Sequence, residues 1–90
     1  MIVARRYVIT GRVQGVGFRY FAEAAAARNG LHGWVRNLAD GSVEAFVEGE
    51  QSAVDAIEAS LRRGPSSARV ESVQVIEETP TLRATGFLIR

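Results

Sequence analysis

The fold of this chain is decided by a stretch near its start, Ile9-Thr10-Gly11-Arg12-Val13-Gln14-Gly15-Val16-Gly17-Phe18-Arg19. An alternating, strand-like pattern runs into Gly-x-Gly, and an arginine follows where a helix should begin. A strand, a glycine turn and a helix start can direct several main-chain N–H groups at one anion. The Arg19 guanidinium adds a planar set of donors suited to phosphate oxygens. The stretch therefore predicts a phosphate-binding loop made by Gly15, Val16, Gly17, Phe18 and Arg19.

Outward from this loop, the hydrophobic spacing changes its period several times. It predicts a strand over residues 5–13, with Tyr7, Ile9 and Val13 on one face, and then a helix over residues 18–28. Further along, it predicts strands over 31–38 and 43–48 around an Asp-Gly turn, a helix over 52–63, a strand near a sheet edge over 69–78 and a short strand over 86–90. Ser52 and Asp55 resemble a capping box at the start of the second helix.

The resulting order, β-α-β-β-α-β with a small terminal strand, defines the expected architecture. We expect one α+β domain over residues 1–90 with a ferredoxin-like sandwich, in which two helices cover one face of an antiparallel sheet and a short extra strand follows at the C-terminus. The fold alone does not choose a function, because this architecture hosts enzymes, RNA-binding modules, metal carriers and regulatory domains.

The composition argues against several of these classes. The chain has a formal net charge of +1 and no cysteine. It therefore lacks a thiolate metal site, and its charge balance argues against a nucleic-acid partner held by bulk charge. Only Met1 to Ala4 precede the first arginines, which is too short for a signal peptide, and no later run is long enough to span a membrane. We expect a cytoplasmic protein without a membrane partner.

Other interpretations of the glycine loop are weaker. A dinucleotide-binding motif that starts at Gly15 would need glycine at position 20, which is Tyr20, and a Walker loop would need a lysine, which the chain lacks. Gly-x-Gly alone often marks only a sharp turn. Arg19, however, places a cation at the positive end of a helix dipole, where it has no local stabilising role. A bound anion would remove that conflict.

A second motif lies around the hairpin, in the stretch Gly33-Trp34-Val35-Arg36-Asn37-Leu38-Ala39-Asp40-Gly41. Most of its residues are explained by a strand and a turn. Asn37 is less expected, because asparagine is depleted in strands, although it could bind its own backbone at the turn. Its carboxamide can both donate to and accept from one water. Asn37 is therefore a candidate for orienting an attacking nucleophile, provided that it faces the predicted loop.

Together the two stretches resemble the signature motifs of the acylphosphatase family, and the resemblance spans the whole chain. It implies a small ferredoxin-like enzyme that hydrolyses the carboxyl–phosphate bond of acyl phosphates without a metal or another cofactor. Arg19 would then correspond to the catalytic, phosphate-binding arginine and Asn37 to the water-positioning asparagine. The implied ligands are a small acyl phosphate substrate and inorganic phosphate as product and competitor. We expect a monomer.

Two other functions stay open at this point. A nucleic-acid-binding module on the same fold would stack bases on strand aromatics, and only Tyr7 and Phe46 could form such a pair. An accessory domain without turnover is the second alternative, since large hydrogenase-maturation proteins begin with a domain of this kind. A chain that starts at Met1 and ends on its last strand favours a free-standing enzyme. His32 is expected to have a surface or structural role, and Gln14 to shape the loop in a way the sequence leaves open.

Overall fold

The computed structural model describes residues 1–90, which form five strands and two helices. The elements are β1 (Ile2–Arg12), α1 (Phe18–Arg28), β2 (His32–Asn37), β3 (Val43–Glu50), α2 (Gln51–Arg63), β4 (Arg69–Glu78) and β5 (Phe87–Ile89). All of the elements predicted from the hydrophobic spacing are present. The largest differences are at the ends of β1 and β3, which extend beyond their predicted limits because each pairs with the other along its length.

The strands form one sheet in the order β4-β1-β3-β2-β5. The predicted antiparallel pairing is confirmed for β4, β1, β3 and β2, and β4 is an edge strand as predicted. The fifth strand differs, because β5 pairs with β2 in parallel and makes the sheet mixed. The reason is the crossover of residues 79–86, which carries the chain from the end of β4 to the opposite edge. There β5 starts at the same end of the sheet as β2.

Both helices pack on one face of the sheet and form a single hydrophobic cluster with it. Tyr7 and Ile9 of β1 and Val13 directly after it, which were predicted to face inward, are buried in this cluster. Phe18 and three alanines of α1 cover one half of the sheet, and Val54, Ile57 and Leu61 of α2 cover the other. Burying large apolar side chains contributes on the order of 1.5–3 kcal/mol each, so the cluster is the main source of stability.

The start of α2 departs from the sequence-based prediction. Helix α2 begins at Gln51, directly after β3, and its N-cap residue is Glu50, which makes no side-chain cap hydrogen bond. The predicted capping box of Ser52 and Asp55 is therefore not formed. Asp55 is engaged elsewhere, because Arg5 of β1 donates from Nη1 to its Oδ1 at 2.7 Å. Asp55 thus forms an ion pair between α2 and β1 and caps no N–H group of the helix.

Replacing Ser52 with alanine is expected to change the free energy of unfolding by no more than about 0.5 kcal/mol, because the Ser52 side chain is exposed and caps no N–H group. A capping serine would cost about 1 kcal/mol. Ile57→Ala on the buried face of the same helix provides the contrast, with an expected loss of about 2–5 kcal/mol. Urea unfolding of the two variants measures both changes, and a loss above about 1 kcal/mol for Ser52→Ala would contradict the assignment.

Candidate active site

The loop between β1 and α1 turns on two glycines with left-handed backbone. Gly15 has a φ of 73° and Gly17 a φ of 78°. A Cβ atom at either position would meet no other atom within 4 Å, so the requirement for glycine is conformational rather than one of space. A residue with a side chain would pay roughly 1–2 kcal/mol for each such position. The two glycines therefore fix the path of the main chain into α1 and leave the space above it open.

The main-chain N–H groups of this loop are unused by the protein. The first helical hydrogen bond of α1 is donated by Phe21 to the Gly17 carbonyl at 3.0 Å, and the six N–H groups from Gly15 to Tyr20 donate to no protein acceptor. No acidic side chain lies in the first turn of α1, and its N-cap makes no side-chain hydrogen bond. The unused donors and the helix dipole together create a strong preference for an anion at this point.

Arg19 adds its charge at the same end of α1, and its position depends on the last strand. Its Nη1 donates to the main-chain oxygen of Arg90 at 3.1 Å. The Arg90 N–H in turn donates to the carbonyl of Val35 in β2 at 2.9 Å. Arg19 is thus tied through β5 to the strand that carries Asn37. Since the guanidinium has five N–H donors, this bond leaves most of them free for a ligand.

Asn37 is the last residue of β2, and its carboxamide makes no hydrogen bond within the protein. It lies opposite Val43 in the β2–β3 pair, just before the hairpin turn. The turn is held by Asp40, whose Oδ1 accepts from the Ser42 N–H at 2.9 Å and from the Ser42 hydroxyl. These hydrogen bonds, the hydroxyl bond first, lower the pKa of the Asp40 carboxyl. Asp40 thus has a structural role in the turn. The Asn37 carboxamide takes no part in it and has no hydrogen-bond partner in the protein.

One cavity of about 220 Å³ brings the two motifs together. Its lining consists of residues from β1, the glycine loop, α1 and β2, namely Val13, Gly15, Gly17, Phe18, Arg19, Tyr20 and Asn37. Arg19 is the only charged residue among them. The loop and the asparagine, which are 18 or more residues apart in sequence, therefore open onto the same side of the molecule.

Two of the predicted loop residues have a second role in packing. Val16 is absent from the lining, because its side chain packs partly against the core and its carbonyl accepts from the Ser67 hydroxyl at 3.1 Å. Its N–H group is free like those of its neighbours. Phe18 is 2% exposed and contacts Phe21, with ring centroids 6.0 Å apart, so it anchors the first turn of α1 in the core. These contacts hold the loop from beneath.

Gln14 has a role that the sequence did not reveal. Its Nε2 donates to the carbonyls of Leu38 at 2.7 Å and Ser42 at 2.9 Å, which lie on the two sides of the hairpin turn. Both amide hydrogens are used, so Gln14 fixes the loop against the hairpin that follows Asn37. The sequence signal was only a carboxamide beside the predicted loop. The identity of its acceptors, 24 and 28 residues away, depends on the tertiary structure.

The remaining candidates lie away from this cavity. His32 accepts a hydrogen bond at Nδ1 from the Gly86 N–H at 2.8 Å, which gives it a structural role at the start of β5. Tyr7 is buried under the helices, whereas Phe46 stacks on Trp34 at 6.2 Å on the opposite face of the sheet. The base-stacking pair required by the nucleic-acid alternative is therefore not formed. No three His, Asp or Glu side chains are grouped as metal ligands would be, and neither helix has the length and apolar character of a membrane span.

Comparison with known proteins gives a consistent result. The family model for acylphosphatase matches residues 5–89. An acylphosphatase of Roseiflexus sp. (strain RS-1) is 53% identical over 90 residues, which covers 99% of this chain and 97% of that protein. The crystal structure of acylphosphatase from Bacillus subtilis matches with a TM-score of 0.93 and 36% identity, covering 100% of this chain and 99% of that one. Full-length HypF also matches, with a TM-score of 0.88 and 31% identity, but only 12% of its chain is covered.

The fold and the site define a class of protein, a ferredoxin-like α+β domain with unpaired main-chain N–H groups and an arginine at the start of its first helix. Within that class, the chain belongs to the acylphosphatase family. Its activity is accordingly that of an acylphosphatase, a hydrolase that acts on small acyl phosphates.

The contacts of Gln14 predict the effect of an isosteric change. Gln14→Glu keeps the shape of the side chain but removes both donors and sets a carboxylate against two carbonyl oxygens. The free energy of unfolding should fall by about 1–3 kcal/mol, the value of two lost hydrogen bonds. Urea unfolding at neutral pH measures the change, with Gln14→Ala as the matched control that removes the donors without adding charge. Equal stability of Gln14→Glu and the unmodified protein would show that the two bonds do not hold the loop.

Proposed function

We propose that this cavity is the catalytic centre and that residues 1–90 act as one catalytic domain. The phosphoryl group of the substrate binds to the N–H groups of Gly15, Val16, Gly17, Phe18 and Arg19 and to the Arg19 guanidinium. The Asn37 carboxamide holds the attacking water. The observation that carries the proposal is the cavity itself, where unused N–H groups, one arginine and an unbonded carboxamide converge.

The chemistry demands little beyond binding and alignment. An acyl phosphate is a mixed anhydride, and its carboxylate leaves readily without a strong general acid. The water oxygen forms a bond to phosphorus while the bond from phosphorus to the acyl oxygen breaks, and the carboxylate departs with that electron pair. One water proton passes to a phosphoryl oxygen of the substrate, since the cavity lining contains no Asp, Glu or His. Catalysis then consists of positioning and charge stabilisation.

Arg19 supplies the charge stabilisation. As charge shifts among the phosphoryl oxygens, a guanidinium and a row of N–H groups that are already in place can bind it without reorganisation. Arginines with this role in other phosphoryl-transfer enzymes contribute on the order of 10³–10⁵ in rate. The bond from Arg19 to the Arg90 main chain supports the role, because it limits the conformations of a long side chain before substrate arrives.

Asn37 supplies the alignment. Its carbonyl oxygen can accept a hydrogen bond from the water and its NH2 group can donate one to the water oxygen, which leaves a lone pair directed at phosphorus. The position at the end of a paired strand restrains its backbone, and the Gln14 bonds restrain the hairpin that follows. Because Asn37 contacts water rather than the phosphoryl oxygens, its contribution belongs to the rate and not to phosphate affinity.

The decisive experiment is the hydrolysis of acetyl phosphate and benzoyl phosphate by purified protein in the presence of EDTA. We expect turnover to persist with the chelator and inorganic phosphate to inhibit competitively, because the phosphoryl subsite is built from the main chain and Arg19. Phosphate release measures the first result and the dependence of KM on added phosphate the second. Loss of turnover with EDTA that Mg²⁺ restores would contradict a metal-independent mechanism. Absence of turnover under all conditions would favour an accessory domain.

Separate substitutions distinguish the two side-chain roles. Arg19→Ala should lower kcat by about 10³-fold or more and raise the inhibition constant of phosphate by about ten-fold or more. Asn37→Ala should lower kcat by about 10²-fold and leave that constant within about two-fold, because only water alignment is lost. Initial rates with and without phosphate measure both effects. Arg19→Lys is the matched control, since it keeps the charge without the planar donor set.

Urea unfolding of the three variants shows whether each one is folded. Normal turnover by folded Arg19→Ala would exclude the mechanism, and a parallel loss of phosphate affinity in Asn37→Ala would exclude the water-positioning role. The monomeric state and the cytoplasmic location expected from the sequence stay predictions.

A further inference from the structure

Tyr20 is unusual among the aromatic residues of this chain. The chain has one Trp, two Tyr and four Phe, and all except Tyr20 are buried or partly covered. Tyr20 is 67% exposed. Its ring stacks on no other ring, and its hydroxyl makes no hydrogen bond within the protein. Single exposed apolar residues are common on protein surfaces, so exposure by itself indicates no function.

The location of Tyr20 is the second observation. It lines the same cavity as Arg19 and Asn37, and it directly follows Arg19 in the first turn of α1. Two other apolar side chains line the cavity, but Val13 and Phe18 are at most 2% exposed and belong to the core. Tyr20 is therefore the apolar side chain at the rim, and the other two form the floor.

The size of the cavity limits what it can enclose. At about 220 Å³ it is smaller than the roughly 300–1,000 Å³ pockets that enclose drug-sized ligands. A phosphoryl group and a water must share this space with any acyl group that the cavity encloses. In an in-line displacement the carboxylate leaves on the side of phosphorus opposite the water, hence away from Asn37. A bulky acyl group must then extend past the rim of the cavity.

We infer that Tyr20 forms the acyl-group subsite and determines specificity among acyl phosphates, an inference that rests on the proposed function. Its exposed ring face packs against flat aromatic or extended apolar acyl groups, and a small acetyl group does not reach it. Aromatic rings gain from offset or edge-to-face contact in addition to burial of area. The only charged lining residue, Arg19, is occupied with the phosphoryl group, so the subsite selects by apolar contact rather than by charge.

The test compares kcat/KM for benzoyl phosphate with kcat/KM for acetyl phosphate. In Tyr20→Ala the benzoyl-to-acetyl ratio should fall by about three- to ten-fold relative to the unmodified protein. The inhibition constant of inorganic phosphate should stay the same, since the main-chain N–H groups and Arg19 are intact. Tyr20→Phe should keep the ratio, because the hydroxyl has no partner. Leu82→Ala removes another exposed apolar side chain, outside the cavity, and should also keep the ratio.

The possible failures are distinguishable. Unmodified protein that hydrolyses neither substrate would overturn both the proposed function and the subsite. Normal turnover with an unchanged ratio in Tyr20→Ala would overturn the subsite alone. An equal loss of kcat/KM for both substrates, or an equal fall of the ratio in Leu82→Ala, would likewise exclude Tyr20 as the specificity residue.

Discussion

The candidate active site depends on the pairing of β3 with two strands that run in the same direction. Because β1 and β2 are both antiparallel to β3, their C-terminal ends lie at one end of the sheet. The glycine loop follows β1 at that end, and Asn37 closes β2 there. The cavity is therefore assembled without a long connecting loop. The pairing of β1, β3 and β2 brings the glycine loop and Asn37 to the same end of the sheet.

The loop between β1 and α1, at this end of the sheet, contains groups that lower the stability of the free protein. The loop holds two left-handed glycines, a row of N–H groups without protein acceptors and a cation at the positive end of a helix. The glycines adopt their conformation without strain, but the unpaired N–H groups and the cation beside them are unfavourable in the free protein, and an anion at this position would relieve both. The compensation comes from neighbouring contacts, in which Gln14 binds the hairpin, Phe18 fills the core and Ser67 binds the Val16 carbonyl. A rigid surround thus holds a loop whose polar groups lack partners within the protein.

Much of the architecture could be predicted from the sequence because it follows from local periodicity. The helix over residues 18–28 and the strand over residues 69–78 have the predicted limits, and the imperfect alternation of the latter correctly indicated an edge. The parallel pairing of β5 could not be predicted, since it depends on where a crossover ends. The capping box is not formed because α2 begins at Gln51, which places Ser52 inside the helix, and Asp55 binds Arg5, 50 residues away.

The candidate site divides in the same way. Arg19 and Asn37 stood out because each is an unfavourable residue for its local structure, a cation at a helix start and an amide in a strand. Gln14 is compatible with its local structure, so the sequence around it did not indicate which two carbonyl groups accept its hydrogen bonds. The bond from Arg19 to Arg90, 71 residues apart, is likewise set only by the fold. Functional residues that oppose local propensity are therefore easier to identify from sequence than the residues that hold them in position.

The link from Arg19 to Arg90 has a consequence for the motions of the molecule. Strand β5 is three residues long and pairs on one side only, so few hydrogen bonds hold it to β2. Short edge elements open locally at a fraction of the free energy of global unfolding. Each such opening would free the guanidinium while the hydrophobic cluster remained intact. On heating, turnover would then decline with the fraying of this strand, at temperatures where the rest of the sheet still resists hydrogen exchange.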